Sequence, residues 1–198
     1  LMQMSIQTIN VSNNTLVAKA LGENNLNKSK LITGNSIILT LCISIITIIL
    51  IAFVQPVFPS LFNVDTVAIS YLTIRLFGFI QSSIVTVLSG HQRTVKKKKN
   101  IMYLRIFAVL LNLIFDIIAV RNGYGIKGVA LVTVFIDTLL ALYLIIYSRN
   151  KVKIKFVSEY FKDVIKLFKW NFVERIASRV DNLIFNLIMD EKIGDAEY

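Results

Sequence analysis

The segment WNFVERIASRVDNLIFNLIMD (residues 170–190) sets Glu174, Arg175, Arg179 and Asp181 among apolar neighbours. Projected at about 100° per residue, these four fall with Asn171, Ser178, Asn182 and Asn186 in one arc of about 160°, interrupted by Phe185. Val173, Ile176, Ala177, Val180, Leu183, Ile184 and Leu187 take the other side. Within the stripe the signs separate, with Glu174 and Asp181 along one edge and Arg175 and Arg179 along the other. The two arginines repel each other modestly at this spacing, so the stripe needs partners from elsewhere. Facing hydrocarbon, each charge would cost about 2.5–3.5 kcal/mol, so the stripe faces protein or water. Carboxyls in such a place can do the work of ion carriers: one with a raised pKa moves a proton, and an ionised one ligates sodium. The competing readings are a helix lying in the membrane interface and ion pairs that merely tie helices together. The broad apolar face and the length of about 20 residues, enough to cross a bilayer, favour the cavity reading. Glu174, Arg179, Asp181 and Asn182 are therefore candidate ion- or substrate-site residues.

Single charges inside other apolar stretches extend the set. Asp137 sits about eleven residues into its stretch and is the fifth candidate, facing the interior of a helical bundle. Asp116 lies near the end of its own stretch, where a snorkelling role fits best. Arg75 is a third isolated charge. Other chemistries lack their residues: Cys42 is the only cysteine and His91 the only histidine, so neither a disulfide nor a metal cluster can be assembled from them. His91 reads as a satisfied interfacial residue. Gly123, Gly125 and Gly128 spell the dinucleotide pattern G-x-G-x-x-G, but that motif needs a preceding short strand, and membrane-length apolar segments flank it here. These glycines suit a tight turn and close helix packing instead.

The elements that would position these residues are long apolar helices. Hydrophobic residues make up 55% of the 198 and charged residues only 17%, and the mean hydropathy is +0.66, well to the apolar side of a soluble domain. Residues 31–64 contain no charge, and residues 37–54 carry only Thr and Ser as polar side chains. Spans are expected at about 31–54, 66–89, 101–120, 126–148 and 170–189. Residues 1–20, with Asn13, Asn14 and Thr15, suit a helix that lines a polar cavity rather than one facing lipid. Pro56 and Pro59 stop the helix before them. Residues 149–169 form a basic connector whose second half reads as an interfacial amphipathic helix. The chain begins at Leu1 with no signal-peptide pattern and ends at Tyr198 just past an apolar segment, and both ends read as truncations.

The net charge of +10 does not indicate a nucleic-acid partner, because the basic residues sit in short loops between apolar blocks. Alternate loops carry Lys28 and Lys30, then Arg93 and Lys96 to Lys99, then Arg149, Lys151, Lys153, Lys155, Lys162, Lys166 and Lys169, while the opposite loops carry only Arg121 and Lys127. By the positive-inside rule the rich loops are cytoplasmic, which gives a multi-pass protein of the cell membrane.

Several stretches, taken in order, resemble the multidrug and toxic compound extrusion (MATE) family of transporters. NNTLVAKALGENNLNKSK (residues 13–30) is similar to the end of that family's second helix through Ala20, Leu21 and Gly22, with Lys19 where Gln is usual. YLTIRLFGF (residues 71–79) resembles the start of the fourth helix, and SGHQRT (residues 89–94) keeps Gly90 and Thr94 of the following loop but has Gln92 for its second glycine. Asn112 and Asp116 match a fifth-helix pattern, and Gly125, Gly128 and Ala130 a sixth-helix one. Glu174 and Arg179 resemble an acidic and a basic position of the seventh, although Phe168 and Trp170 replace the usual Gly-x-Pro before them.

The resemblance implies an all-α bundle of two six-helix lobes, of which this chain is a fragment running from about the second helix to the seventh of twelve. Residues 1–148 would be most of the N-terminal lobe, 149–169 a cytoplasmic inter-lobe linker, and 170–198 the first helix of the C-terminal lobe. It implies no enzyme and no cofactor other than a coupling ion, H+ or Na+. The expected activity is secondary antiport that exports small organic, often cationic, compounds by a full-length monomer whose partners are the bilayer and its substrates. A lipid-linked oligosaccharide flippase of the same superfamily, or an inactive fragment, is the alternative. A flippase calls for a strongly cationic cavity, and for it the first-lobe spans offer Arg75 and Lys19 against Asp116 and Asp137.

Overall fold

A computed structural model describes residues 2–55, 66–95 and 98–194, with side chains described as far as 181. Pro56, Pro59, Lys96 and Lys97 lie outside the described residues, and so does the side chain of Asn182. The chain folds into α1 (Met2–Gly22), α2 (Leu26–Val54), α3 (Thr66–Thr94), α4 (Lys98–Arg121), α5 (Gly125–Ser148) and α6 (Ser158–Gly194). No strand occurs among the described residues.

Among the described residues four helices are long and apolar enough to cross a membrane: α2, α3 from Ala68, α4 and α5. Their burial separates inner from outer helices. In the most apolar window of α3, 44% of residues are buried, against 11% in α4. The rest of α4 and the outward faces of α2 and α5 expose Phe53, Phe107, Val109, Leu131 and Ile146 as parts of continuous apolar surfaces. Water does not tolerate such a surface, and hydrocarbon does.

Polar content keeps α1 out of the group of four. It is nonetheless an inner helix, packed on α2, α3 and α6. It buries Ile6, Ile9 and Val17 alongside Thr8, Ser12 and Asn13. The hydroxyls are satisfied by their own helix, Thr8 Oγ1 donating to the Met4 carbonyl at 2.7 Å and Ser12 Oγ to the Thr8 carbonyl at 3.0 Å. That bonding is how Ser and Thr are carried inside a helix surrounded by other helices.

Local chemistry sets the turns. Asn24, at φ 55°, makes the reversal after α1, and the Asn25 side chain caps α2 by accepting from the Lys28 N–H at 2.9 Å. Between α4 and α5, Gly123 and Gly125 hold φ of 79° and 55°, which L side chains rarely adopt. A methyl on Gly128 would meet Tyr124 Cβ at 2.5 Å and Ala119 Cβ at 3.1 Å. The G-x-G-x-x-G pattern is thus a helical hairpin turn followed by a close-packing position. Gly78 serves the most extensive interhelical contact, α3 against α5, where an added Cβ would lie 2.6 Å from Val134.

The connector differs from its expected form. Residues 152–157 run without helix, and from Ser158 a single 37-residue helix continues to Gly194. At about 1.5 Å per residue it is some 55 Å long, so the amphipathic half of the connector and the polar-striped helix after it are one rod. Val164, Tyr160, Phe161 and Ile165 seat its first turns on the core of α1 and α2. The stretch before it is strapped to α2: Lys153 N–H donates to the Lys30 carbonyl at 3.2 Å, and the buried Asn35 donates to the Lys155 carbonyl at 3.1 Å and accepts from Val157 N–H at 3.0 Å. Gly34 lies so close to the Lys153 carbonyl that no side chain fits between them.

Candidate functional site

Helical period sorts the polar residues of the inner helices onto common faces. On α4, Ile101, Arg105, Ala108, Asn112, Asp116 and Ala119 recur every three or four residues, and on α5 Ala130, Thr133, Asp137, Ala141 and Leu144 do the same. These faces meet across α3, where Ser82 and Thr86 stand between two cavities.

The first is a cleft of about 430 Å³ between α3, α4 and α5. Asp116 and Asp137 line it together with Asn112, Thr133, Ser82, Thr86 and Arg105. Asn112 Nδ2 donates to Asp116 Oδ2 at 2.8 Å, while Asp116 Oδ1 is buried and has no hydrogen-bond partner. Ser82 and Asp137 line this cleft together, with Arg105 also on its wall. Two carboxyls, an amide and hydroxyls around one space are the hard oxygen donors that a proton or an alkali cation uses. Asp116 therefore shares this cleft with Asp137.

The second cavity, about 420 Å³, lies between α1, α3, α4 and α6. Arg93, Arg105 and Arg175 line it with Gln3, Gln7 and Asn10, and among the described residues no carboxyl does. Arg175 Nη1 donates to Gln7 Oε1 at 3.4 Å and Arg93 Nε to its own Ser89 carbonyl at 3.4 Å. Arg105 borders both spaces.

The five candidates from the sequence separate. Asp137 lines the acidic cleft. Glu174, Arg179 and Asp181 are exposed on α6 and line neither cavity, and the side chain of Asn182 lies outside the described residues. The polar stripe of α6 does dock, but through its other edge: Asn171 Nδ2 donates to Ser12 Oγ at 3.0 Å, and Arg175 reaches Gln7. Sequence reasoning passed over Arg105. Its signal was its register with Asn112 and Asp116, seven and eleven residues on.

The remaining chemical side chains are structural. His91 is buried, with Nδ1 2.8 Å from Thr33 Oγ1, and Gln92 Nε2 donates to Ser148 Oγ at 3.0 Å, so this end of α3 is tied to α2 and α5. Cys42 is exposed on α2. Among the described residues no group of three or more His, Cys, Asp or Glu side chains is placed to hold a metal.

Membrane-length helices with apolar outer faces, packed around polar inner cavities, define a polytopic membrane protein. The family model MatE matches residues 1–118, more than half of the chain, and the chain belongs to that family. No curated protein sequence matches it. Among solved structures it is similar to a MOP superfamily transporter from Pyrococcus furiosus whose binding pocket is described as of reverse polarity, with a TM-score of 0.82 and 17% identity over 94% of this chain and 44% of that one. A MATE structure in complex with MaD3S gives 0.82 and 17% over 94% and 45%. An inward-facing multidrug resistance MATE family transporter gives 0.74 and 19% over 86% and 42%. The likeness is one of fold, and the chain spans less than half the length of each of these proteins.

Proposed function

We propose that the intact protein is a secondary transporter that exports small organic compounds by alternating access, coupled to H+ or Na+, and that the coupling cation is carried in the cleft of Asp116 and Asp137. The observation that carries this reading is the buried Asp116 Oδ1, which lacks a hydrogen-bond partner in a space shared with a second carboxyl. A desolvated carboxyl oxygen with no donor is costly unless a proton or cation joins it. Membership of the MatE family supports transport as the activity.

In this reading the basic loops are cytosolic, the protein crosses the plasma membrane as a monomer, and residues 1–148 form most of one lobe. Residues 149–169 lead into the helix that opens a second lobe. Glu174, Arg179, Asp181 and Asn182 belong to the face of α6 that such a lobe would cover, where they would line the far wall of a central passage.

The test is gradient-driven efflux of a fluorescent organic substrate by the full-length protein in proteoliposomes. Asp137→Asn is expected to reduce it by at least about tenfold, the scale of losing one essential ion-transfer group. Unchanged efflux with Asp137→Asn, combined with its loss in Glu174→Gln with Asp181→Asn, would move the ion site to α6.

A further inference from the structure

The cavity of Arg93, Arg105 and Arg175 is not needed for carrying a cation, and its chemistry is opposite to that task. Three guanidinium groups converge on one space of about 420 Å³. Among the described residues none of them forms an ion pair, the one such pair being Lys28 with Glu23 at the surface. Asp137 attracts Arg105 only from the neighbouring cleft, while Arg93 acts on Arg105 with the same sign. Arg93 and Arg105 are exposed and Arg175 is half-buried, so the three like charges face an open cavity that a negatively charged group can enter. The guanidinium fork fits a phosphate or carboxylate by two parallel hydrogen bonds, and several forks around one pocket fit a group of more than one negative charge. Gln3, Gln7 and Asn10 add amides to the same wall. Ile6, Val11 and Phe79 beside them offer an apolar surface for the remainder of a molecule.

We infer that this cavity binds the anionic group, a phosphate above all, of the transported molecule. The inference rests on the proposed transport function and narrows its substrate to amphiphiles with an anionic head, in place of the organic cations expected from the resemblance. A soluble phosphate compound and a phospholipid present the same oxygens to it, and the test below tells them apart.

Equilibrium binding to the full-length protein in nonionic detergent tests this without any ion gradient, so its failure is separable from a failure of coupled transport. Inorganic pyrophosphate serves as the soluble probe, phosphatidylglycerol in mixed micelles as the lipid probe, and tetraphenylphosphonium as the cationic probe. The expected result is binding of one anionic probe that weakens at least about tenfold in Arg105→Gln and in Arg175→Gln, fades with added salt, and is partly restored by Arg105→Lys. Pyrophosphate binding assigns a soluble substrate, and binding of phosphatidylglycerol alone assigns a lipid one. Arg175→Gln lies on the partly exposed α6 and keeps the test valid if Arg105→Gln does not fold. Anion binding that ignores both arginines, or tetraphenylphosphonium binding that is tighter than either anion and insensitive to them, would overturn the inference.

Discussion

Two cavities share the wall made by Ser82 and Thr86 and differ in sign: one is lined by Asp116 and Asp137, the other by Arg93 and Arg175, with Arg105 between them. In water this contrast would be screened within about 8–10 Å. Inside a bundle it is screened less, and the proposed cation and anion sites rest on this opposition of sign. The acidic cleft is built by three helices of one hairpin-like unit, α3 to α5, whereas the basic cavity needs α1 and α6 from either end of the chain. A cation site assembled within one rigid unit, beside an anion site that spans two, is an arrangement in which occupancy of one can bias the geometry of the other through Arg105.

Substitutions can break this comparison at different depths. The largest effect is expected from Asp137→Asn with Asp116→Asn, which removes both carboxyls and with them the dependence of efflux on an imposed proton or sodium gradient, by more than about tenfold. Arg105→Gln should act differently. It is expected to raise the substrate concentration for half-maximal efflux by about tenfold while the gradient dependence persists, as read from efflux rates across a substrate series.

Below these lie effects on packing. Gly78→Ala puts a methyl 2.6 Å from Val134 in the α3–α5 contact and should cost about 1–3 kcal/mol, lowering the melting temperature of the detergent-solubilised protein and weakening both functions together. The smallest effect belongs to Glu23→Gln. The hydrogen bond from Lys28 at 2.8 Å holds the Glu23 carboxyl below its usual range, so any stabilisation by this pair is present above the unfolded carboxyl's range and is lost as pH falls through the folded one. The pair is solvent-exposed, and no shift in melting temperature is expected at neutral pH.

Helix-length apolar runs made α2 to α5 legible from residues alone, because a span is a long and nearly uniform signal. The polar α1 was legible as a cavity-lining helix for the same reason in reverse. The continuity of α6 was not. Lys162, Lys166 and Lys169 made residues 158–169 look like a separate surface element, and nothing in a hydropathy pattern says whether two amphipathic stretches share an axis. Asp137 was found because it is isolated in mid-span. Arg105 was hidden by averaging, since one arginine barely lowers the apolarity of its helix, and its meaning lies in register with Asn112 and Asp116 and in the cavity it shares with residues of α1 and α6. Whether Glu174 or Arg175 turned inward could not be read from a stripe that holds both. Contacts with Gln7 and Ser12 on α1 decide it for Arg175 and Asn171.

The acidic cleft as the seat of ion coupling is tested most directly by the protons or sodium released when substrate binds to the purified full-length protein. The expected result is release by the wild type and by Glu174→Gln with Asp181→Asn, and none by Asp137→Asn. Equal release by Asp137→Asn, or its disappearance in the α6 double variant alone, would contradict it.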